Sequence, residues 1–202
     1  MANVDNPHGF LPVKSLQGAP WNGLARSIGV TDGADIFMFD SLITASGLAL
    51  SPTTATDDDV MLGVAVGFGK NSTATGTMGG SKDGMMFDPD DLATGTRYYD
   101  DSDSIHTEWN VFYAPAIGML FQVQSDGGET AQLLNGTAYD TTATTGNTTT
   151  GISKHEIDGD GTAGTGEGVV VLGVVRSPDN DPALDNAEYF IRFNRTVEDD
   201  LA

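Results

Sequence analysis

The chain has 202 residues, with nine Lys and Arg against 29 Asp and Glu, for a formal net charge of −20. Such a charge repels a polyanionic duplex or an anionic membrane surface unless a basic patch offsets it, and no two of the cations are adjacent. Neither nucleic acid nor membrane is therefore an expected partner, and the absence of cysteine removes disulfides, thiolate metal sites and cysteine nucleophiles together.

The segment from Met1 to Phe10 has neither a basic stretch nor an apolar run, so no secretory signal is expected. Residues 1–34 read as an extended arm. Pro7, Pro12 and Pro20 fix φ, remove amide donors and push the preceding residues to extended geometry, which excludes a regular helix. Yet Phe10, Leu11, Val13, Leu16 and Trp21 are costly to leave in water, at about 1.5–3 kcal/mol for each large side chain. Spaced apolar anchors on an extended segment suit docking along another surface or strapping over the chain's own core. The sequence leaves both open.

Residues 35–202 read as one β-rich domain. Asp35 to Phe39 is a short apolar run ended by Asp40-Ser41, and Val60 to Phe68 is a longer one after Asp57-Asp58-Asp59. Glu108 to Tyr113 stops at Ala114-Pro115. Ile117, Met119, Phe121 and Val123 alternate with their neighbours at the period of a strand. Gly168 to Arg176 is Val-rich and ends at Ser177-Pro178-Asp179-Asn180, after which Tyr189, Ile191 and Phe193 alternate with Phe190, Arg192 and Asn194. β-branched and aromatic residues dominate and no run has apolar positions at helical spacing, so the expected fold is all-β, a small β-barrel or β-sandwich. Val60-Met61-Leu62-Gly63-Val64 and Val171-Leu172-Gly173-Val174-Val175 echo each other. A Gly inside a buried strand marks a bulge or a close backbone approach, and two such strands would fit paired positions of one body. Residues 69–108 and 135–151 are long polar stretches, with Met85-Met86-Phe87 as an anchoring island in the first.

Chemistry-bearing constellations are scarce. The three histidines, His8, His106 and His155, make no pair at metal-ligand spacing, and no nucleophile elbow or phosphate-binding loop occurs. Neither an enzyme nor a cofactor is expected. Asp158-Gly159-Asp160-Gly161 imitates the start of a calcium loop and makes Asp158 and Asp160 the metal candidates, with Glu167 available to close an irregular site. The register of that loop fails, however, since Ala163 and Val169 stand where Gly and a bidentate Glu are needed. A solvated Asp-Gly hairpin turn is the better reading, so no metal is expected.

Several segments, taken in order, resemble a group of tailed-bacteriophage structural proteins, the decoration or cement proteins of the head. The segments are Asn6-Pro7-His8-Gly9-Phe10-Leu11-Pro12-Val13, Leu62 to Gly67, Tyr113-Ala114-Pro115-Ala116 and Phe121-Gln122-Val123-Gln124-Ser125-Asp126-Gly127. Leu172-Gly173-Val174-Val175-Arg176-Ser177-Pro178-Asp179-Asn180 and the aromatic strand Tyr189 to Asn194 complete the set. The stretch 69–108 is longer than the corresponding connection in that group. The resemblance implies a β-rich, non-enzymatic protein, made in the host cytoplasm and placed on the outer capsid surface of the virion. It also implies a homotrimer whose partner is the major capsid protein, with Phe10, Leu11, Val13 and Trp21 as the anchors of a capsid-binding arm. A reading from another class is a receptor- or carbohydrate-binding domain of a tail or fibre, with Tyr98, Tyr99 and Trp109 lining a sugar site.

Overall fold

The computed structural model describes residues 3–23, 25–31, 33–52, 60–70, 98–101, 109–127, 132–159 and 168–197, and within them every regular element is a strand. In chain order these are β1 (Leu11–Ser15), β2 (Arg26–Gly29), β3 (Ser41–Ala45), β4 (Leu48–Leu50), β5 (Met61–Lys70) and β6 (Trp109–Pro115). They continue with β7 (Met119–Gln124), β8 (Ala138–Tyr139), β9 (Thr141–Thr142), β10 (Glu156–Ile157), β11 (Val169–Val174) and β12 (Glu188–Phe193). One five-stranded sheet has the order β1-β7-β12-β11-β8, a second has β2-β6-β5-β3-β4, and β9 and β10 form a separate ribbon. All named strand pairs are antiparallel.

Two apolar clusters hold these layers. The first takes Phe121, Val123, Val171, Tyr189, Ile191 and Phe193 from the first sheet and Met61, Val64 and Ala114 from the second. This is the interior of a β-sandwich. The second cluster lies on the other side of the second sheet, where Leu62, Ala65, Phe68, Val111 and Tyr113 meet Val30, Ile36, Met38 and Tyr99. A bridge between Val30 and Ala49, with the Thr31 N–H donating to the Ala49 carbonyl, brings the β2 and β4 ends of that sheet together, so it curls around this cluster. Burial on both faces is why β5 reads as an unbroken apolar run rather than an alternating one.

Two register shifts in β5 let consecutive residues serve opposite faces. Against β3 the pairing passes from Met61 to Gly63 and skips Leu62; against β6 it passes from Ala65 to Gly67 and skips Val66. The echo strand β11 does the same, passing from Val171 to Gly173 and skipping Leu172. Each Leu-Gly-Val therefore carries a β-bulge at its Leu. The two echo strands lie in different sheets of the sandwich, and Met61 and Val64 of β5 share the first cluster with Val171 of β11.

Other departures have local causes. Residues 35–39 do not form a strand, because Phe39 has φ 72° and the chain turns at Asp40; Ile36 and Met38 make only isolated bridges, to Tyr99 and Ile152. The stretch 1–34, expected as an arm, supplies edge strands to both sheets. Pro12 is tolerated because β1 is an edge strand with a register shift between Pro12 and Lys14. In the polar stretch 135–151, Gly146 is buried so tightly against the Phe37 ring that a Cβ there would lie 2.3 Å from Cγ.

Gly63 makes a very close approach in the β5–β6 ladder, where an added Cβ would meet the Ala114 carbonyl oxygen at 2.2 Å. Gly63→Ala should destabilise the protein by at least the roughly 1–3 kcal/mol of overpacking, because the obstacle is backbone. Gly173→Ala, with nothing within 4 Å of the new methyl, should be neutral or slightly stabilising. Denaturant unfolding of the pair measures the difference, and equal midpoints would contradict the packing described.

Candidate functional site

The segment from Asn3 to Trp21 runs along the first sheet and is bonded to it throughout. The Asn3 side-chain amide donates to the carbonyls of Asp181 and Asp185 at 2.9 Å each, and the Gln124 amide donates to the Val4 carbonyl at 2.8 Å. His8 Nε2 lies 3.5 Å from a Glu188 carboxylate oxygen. Phe10 is 0% exposed and tilts against Phe193 with ring centroids 5.2 Å apart. Leu11 and Val13 are half-buried on β1, and the half-buried Trp21 packs on the first cluster while its N–H donates to the Val13 carbonyl at 3.0 Å. Of the four expected anchors, Phe10 is committed to this chain's own core, whereas Leu11, Val13 and Trp21 keep part of their surface. Of the two readings the sequence left open, this is the strap.

Where the strap crosses into the body it covers a buried polar network. Gly9, at φ 72°, sits so close to Ser153 and the Phe39 carbonyl that any side chain would collide, with a Cβ 2.4 Å from that oxygen. Beneath it lie Asp40, Ser41, Ser51, Ser153 and His155, all almost wholly buried. One Asp40 carboxylate oxygen accepts the Phe37 N–H at 2.8 Å and the Ser51 hydroxyl at 3.1 Å. The other faces His155 Nε2 at 3.4 Å, an ion-pair distance without hydrogen-bond geometry. The Ser41 N–H donates to His155 Nδ1 at 3.3 Å, and the Ser41 hydroxyl lies 3.0 Å from the same nitrogen. A nitrogen that accepts an amide proton carries none of its own, which puts the ring proton on Nε2, toward the carboxylate.

Ser41, His155 and Asp40 thus share the connectivity of a nucleophile relay. Ser41 is nevertheless 0% exposed at the start of β3 and lies within the body, with no open path from the surface to its hydroxyl among the described residues. Burial pushes the Asp40 carboxyl above its ordinary value; the His155 ring, the Phe37 N–H and the Ser153 and Ser51 hydroxyls oppose that shift without cancelling it. Sequence reading missed this group because Asp40 and His155 are far apart in the chain, and each alone reads as a polar boundary. The one available signal was Asp40-Ser41 directly after an apolar run with no turn glycine.

The remaining candidates are placed as follows. Asp158 is half-buried, and its N–H donates to the Asp140 carbonyl at 3.0 Å, while the next N–H, of Gly159, donates to the Asp126 carboxylate at 3.1 Å. Asp160 lies outside the described residues, as do Met85-Met86-Phe87, His106 and most of 69–108. Among the described residues, no group of three or more His, Asp or Glu is gathered for a metal, and no helix is long and apolar enough to cross a membrane. Tyr98 stacks on Phe37 at 4.5 Å, and Tyr99 is fully buried with its ring edge-on to Trp109 at 6.1 Å. Tyr99 packs inward, while Tyr98 and Trp109 keep part of their surface. A surface hollow of about 810 Å³ lies along β11 and the 176–182 loop. No family model, curated protein or solved structure matches this chain.

Two outcomes follow from the buried groups. Phe10→Ala should cost about 3–5 kcal/mol in equilibrium unfolding, as for other core aromatics, whereas a residue serving only as an external anchor would leave the midpoint unchanged. A carboxyl whose folded-state pKa is raised contributes stability that is complete below its ordinary pKa and is lost as pH rises through the folded value. The stability of the wild type relative to Asp40→Asn should therefore decline as pH rises above the ordinary carboxylate range. A difference that stays constant or grows with pH would refute this.

Proposed function

We propose that the chain is a non-enzymatic structural protein of a phage virion. On this reading it binds the outer surface of the assembled capsid as a homotrimer and stabilises it by clamping neighbouring major capsid subunits. One observation carries the reading. The segments that resemble the decoration proteins are neighbours in space: β1, β7, β12 and β11 are consecutive in the first sheet, and Leu62 to Gly67 pairs with Tyr113 to Pro115 across β5–β6. Motifs scattered over the chain thus supply four adjacent strands of one sheet and an adjacent pair in the other, and the added length of 69–108 falls between β5 and β6 in the chain.

In this reading the strap does two jobs. Phe10 fixes the β1 edge to the core, and the partly exposed Leu11, Val13 and Trp21 give that edge an apolar surface for the coat lattice. A protein that binds assembled subunits but not free ones stabilises the assembly by mass action, by about 2.7 kcal/mol per site at a hundredfold excess over Kd. Adding the purified protein to capsids that lack it should raise their disassembly temperature and give stoichiometric, symmetric density outside the shell. Leu11→Asp with Val13→Asp should weaken that attachment while the protein stays folded. Capsids that neither bind the protein nor gain stability would overturn the proposal.

A further inference from the structure

Open sheet edges invite pairing with another chain, and this fold closes most of its own. The β1 edge is covered by its continuation, with the Ser15 N–H donating to the Ala19 carbonyl and the Trp21 N–H to the Val13 carbonyl. The β2 and β4 edges meet through Val30 and Ala49. The β11 edge is only half closed. β8 pairs with Val169 and Val170, and hydrogen bonds between Gly136, Thr137 and Val171 extend the cover by one residue. From Leu172 to Val175 the chain has β12 on one side and, among the described residues, no strand on the other. The Val175 N–H donates to Glu188 on β12, so by the alternation of an antiparallel ladder the Val174 N–H and C=O point to the open side.

This stretch borders the hollow of about 810 Å³, whose lining includes Leu172, Val174, Gln132, Asn135, Arg176 and Pro182. Leu172, Leu184 and Leu134, on or beside it, are 39%, 39% and 66% exposed. Among the described residues the one charged side chain on the lining is Arg176, and the loop that walls the hollow carries three exposed acids, Asp179, Asp181 and Asp185. Among the described residues none of these three has a basic partner. We infer that the Leu172–Val175 edge is a docking site for an extended peptide segment of another protein, one that alternates apolar residues with Lys or Arg. The segment adds a sixth strand to the first sheet. Its backbone pairs with Val174, its apolar side chains pack on Leu172 and Val174, and its cations meet the aspartates of the rim. Pairing this edge with the same edge of a second copy would bring two sets of rim aspartates together. The inference is independent of the capsid reading and is tested on the isolated protein.

The test titrates the isotope-labelled full chain with a blocked Lys-Val octapeptide of alternating sequence and with its Glu-Val counterpart, following backbone amides by NMR and hydrogen exchange. The expected result is saturable binding of the Lys-Val peptide at low salt, protection of the Val174 amide, and affinity at least about tenfold above that of the Glu-Val peptide. Val174→Pro should abolish that binding, and Leu172→Arg, at a position already exposed, should weaken it by like-charge repulsion without loss of fold. Equal binding of both peptides, binding that leaves the Val174 amide unperturbed, or wild-type affinity in Leu172→Arg would overturn the inference. Self-association that protects the same amide would also overturn it, assigning the edge to a second copy.

Discussion

The fold is organised around one buried carboxylate. Asp40 closes the turn from Phe37 by accepting the Phe37 N–H with its side chain, and its own N–H donates to the Phe37 carbonyl at 3.2 Å. That turn holds Phe39 in the left-handed region, which costs a residue with a Cβ roughly 1–2 kcal/mol. The return on that strain is geometric. Reversed in this way, Phe39 accepts the Phe10 N–H and donates to the Ala65 carbonyl, while the Asp40 carbonyl accepts the Ala65 N–H. The strap, the central strand β5 and the 151–155 segment, through Met38, therefore all meet at one turn, and Phe39 packs against both apolar clusters. A group so deeply buried is tolerable only with polar partners: Phe37 and Ser51 donate to one oxygen, and the His155 ring faces the other. Breaking this group would loosen the junction between the two cores rather than one strand.

Much of the β framework was legible because it rests on local signals. β5, β6, β7, β11 and β12 fall where apolar runs or period-two alternation placed them, and the glycine of each Leu-Gly-Val did mark a bulge. What escaped was set by partners distant in sequence. Residues 35–39 have the composition of a strand, yet their backbone is claimed by the Asp40 turn. β3 and β4 carry little apolar periodicity, and they pair because Ser46 and Gly47 take φ values of 53° and 79°, the left-handed pair of a two-residue hairpin. The arm showed its apolar anchors plainly, but their destination depended on Phe193 and Phe121, more than a hundred residues downstream. The polar network was hidden for the same reason: spacing rules find sites built within one element, and this one joins a turn, a strand start and a segment beyond β9.

The acidity is partitioned as well as large. Among the described residues no Asp lies in a strand; the strands carry Lys14, Arg26, Lys70 and Arg192 against Glu156 and Glu188. Asp is poorly accommodated in strands because its short side chain competes for backbone groups, so the sheets bear a slight positive excess and the connections bear the negative charge. Cohesion comes from the sheets and their two apolar clusters, while the like charges sit in the connections rather than in the ladders. This arrangement also constrains association. A partner approaching through the loops meets a field of one sign, whereas a partner aligned with a strand edge meets neutral backbone flanked by that field. Attachment by backbone pairing and apolar contact, to a surface of opposite or neutral charge, satisfies both conditions at once; attachment by acidic loops to another acidic surface satisfies neither. The expectation against nucleic acid and the proposed contacts at strand edges thus rest on one distribution of aspartate.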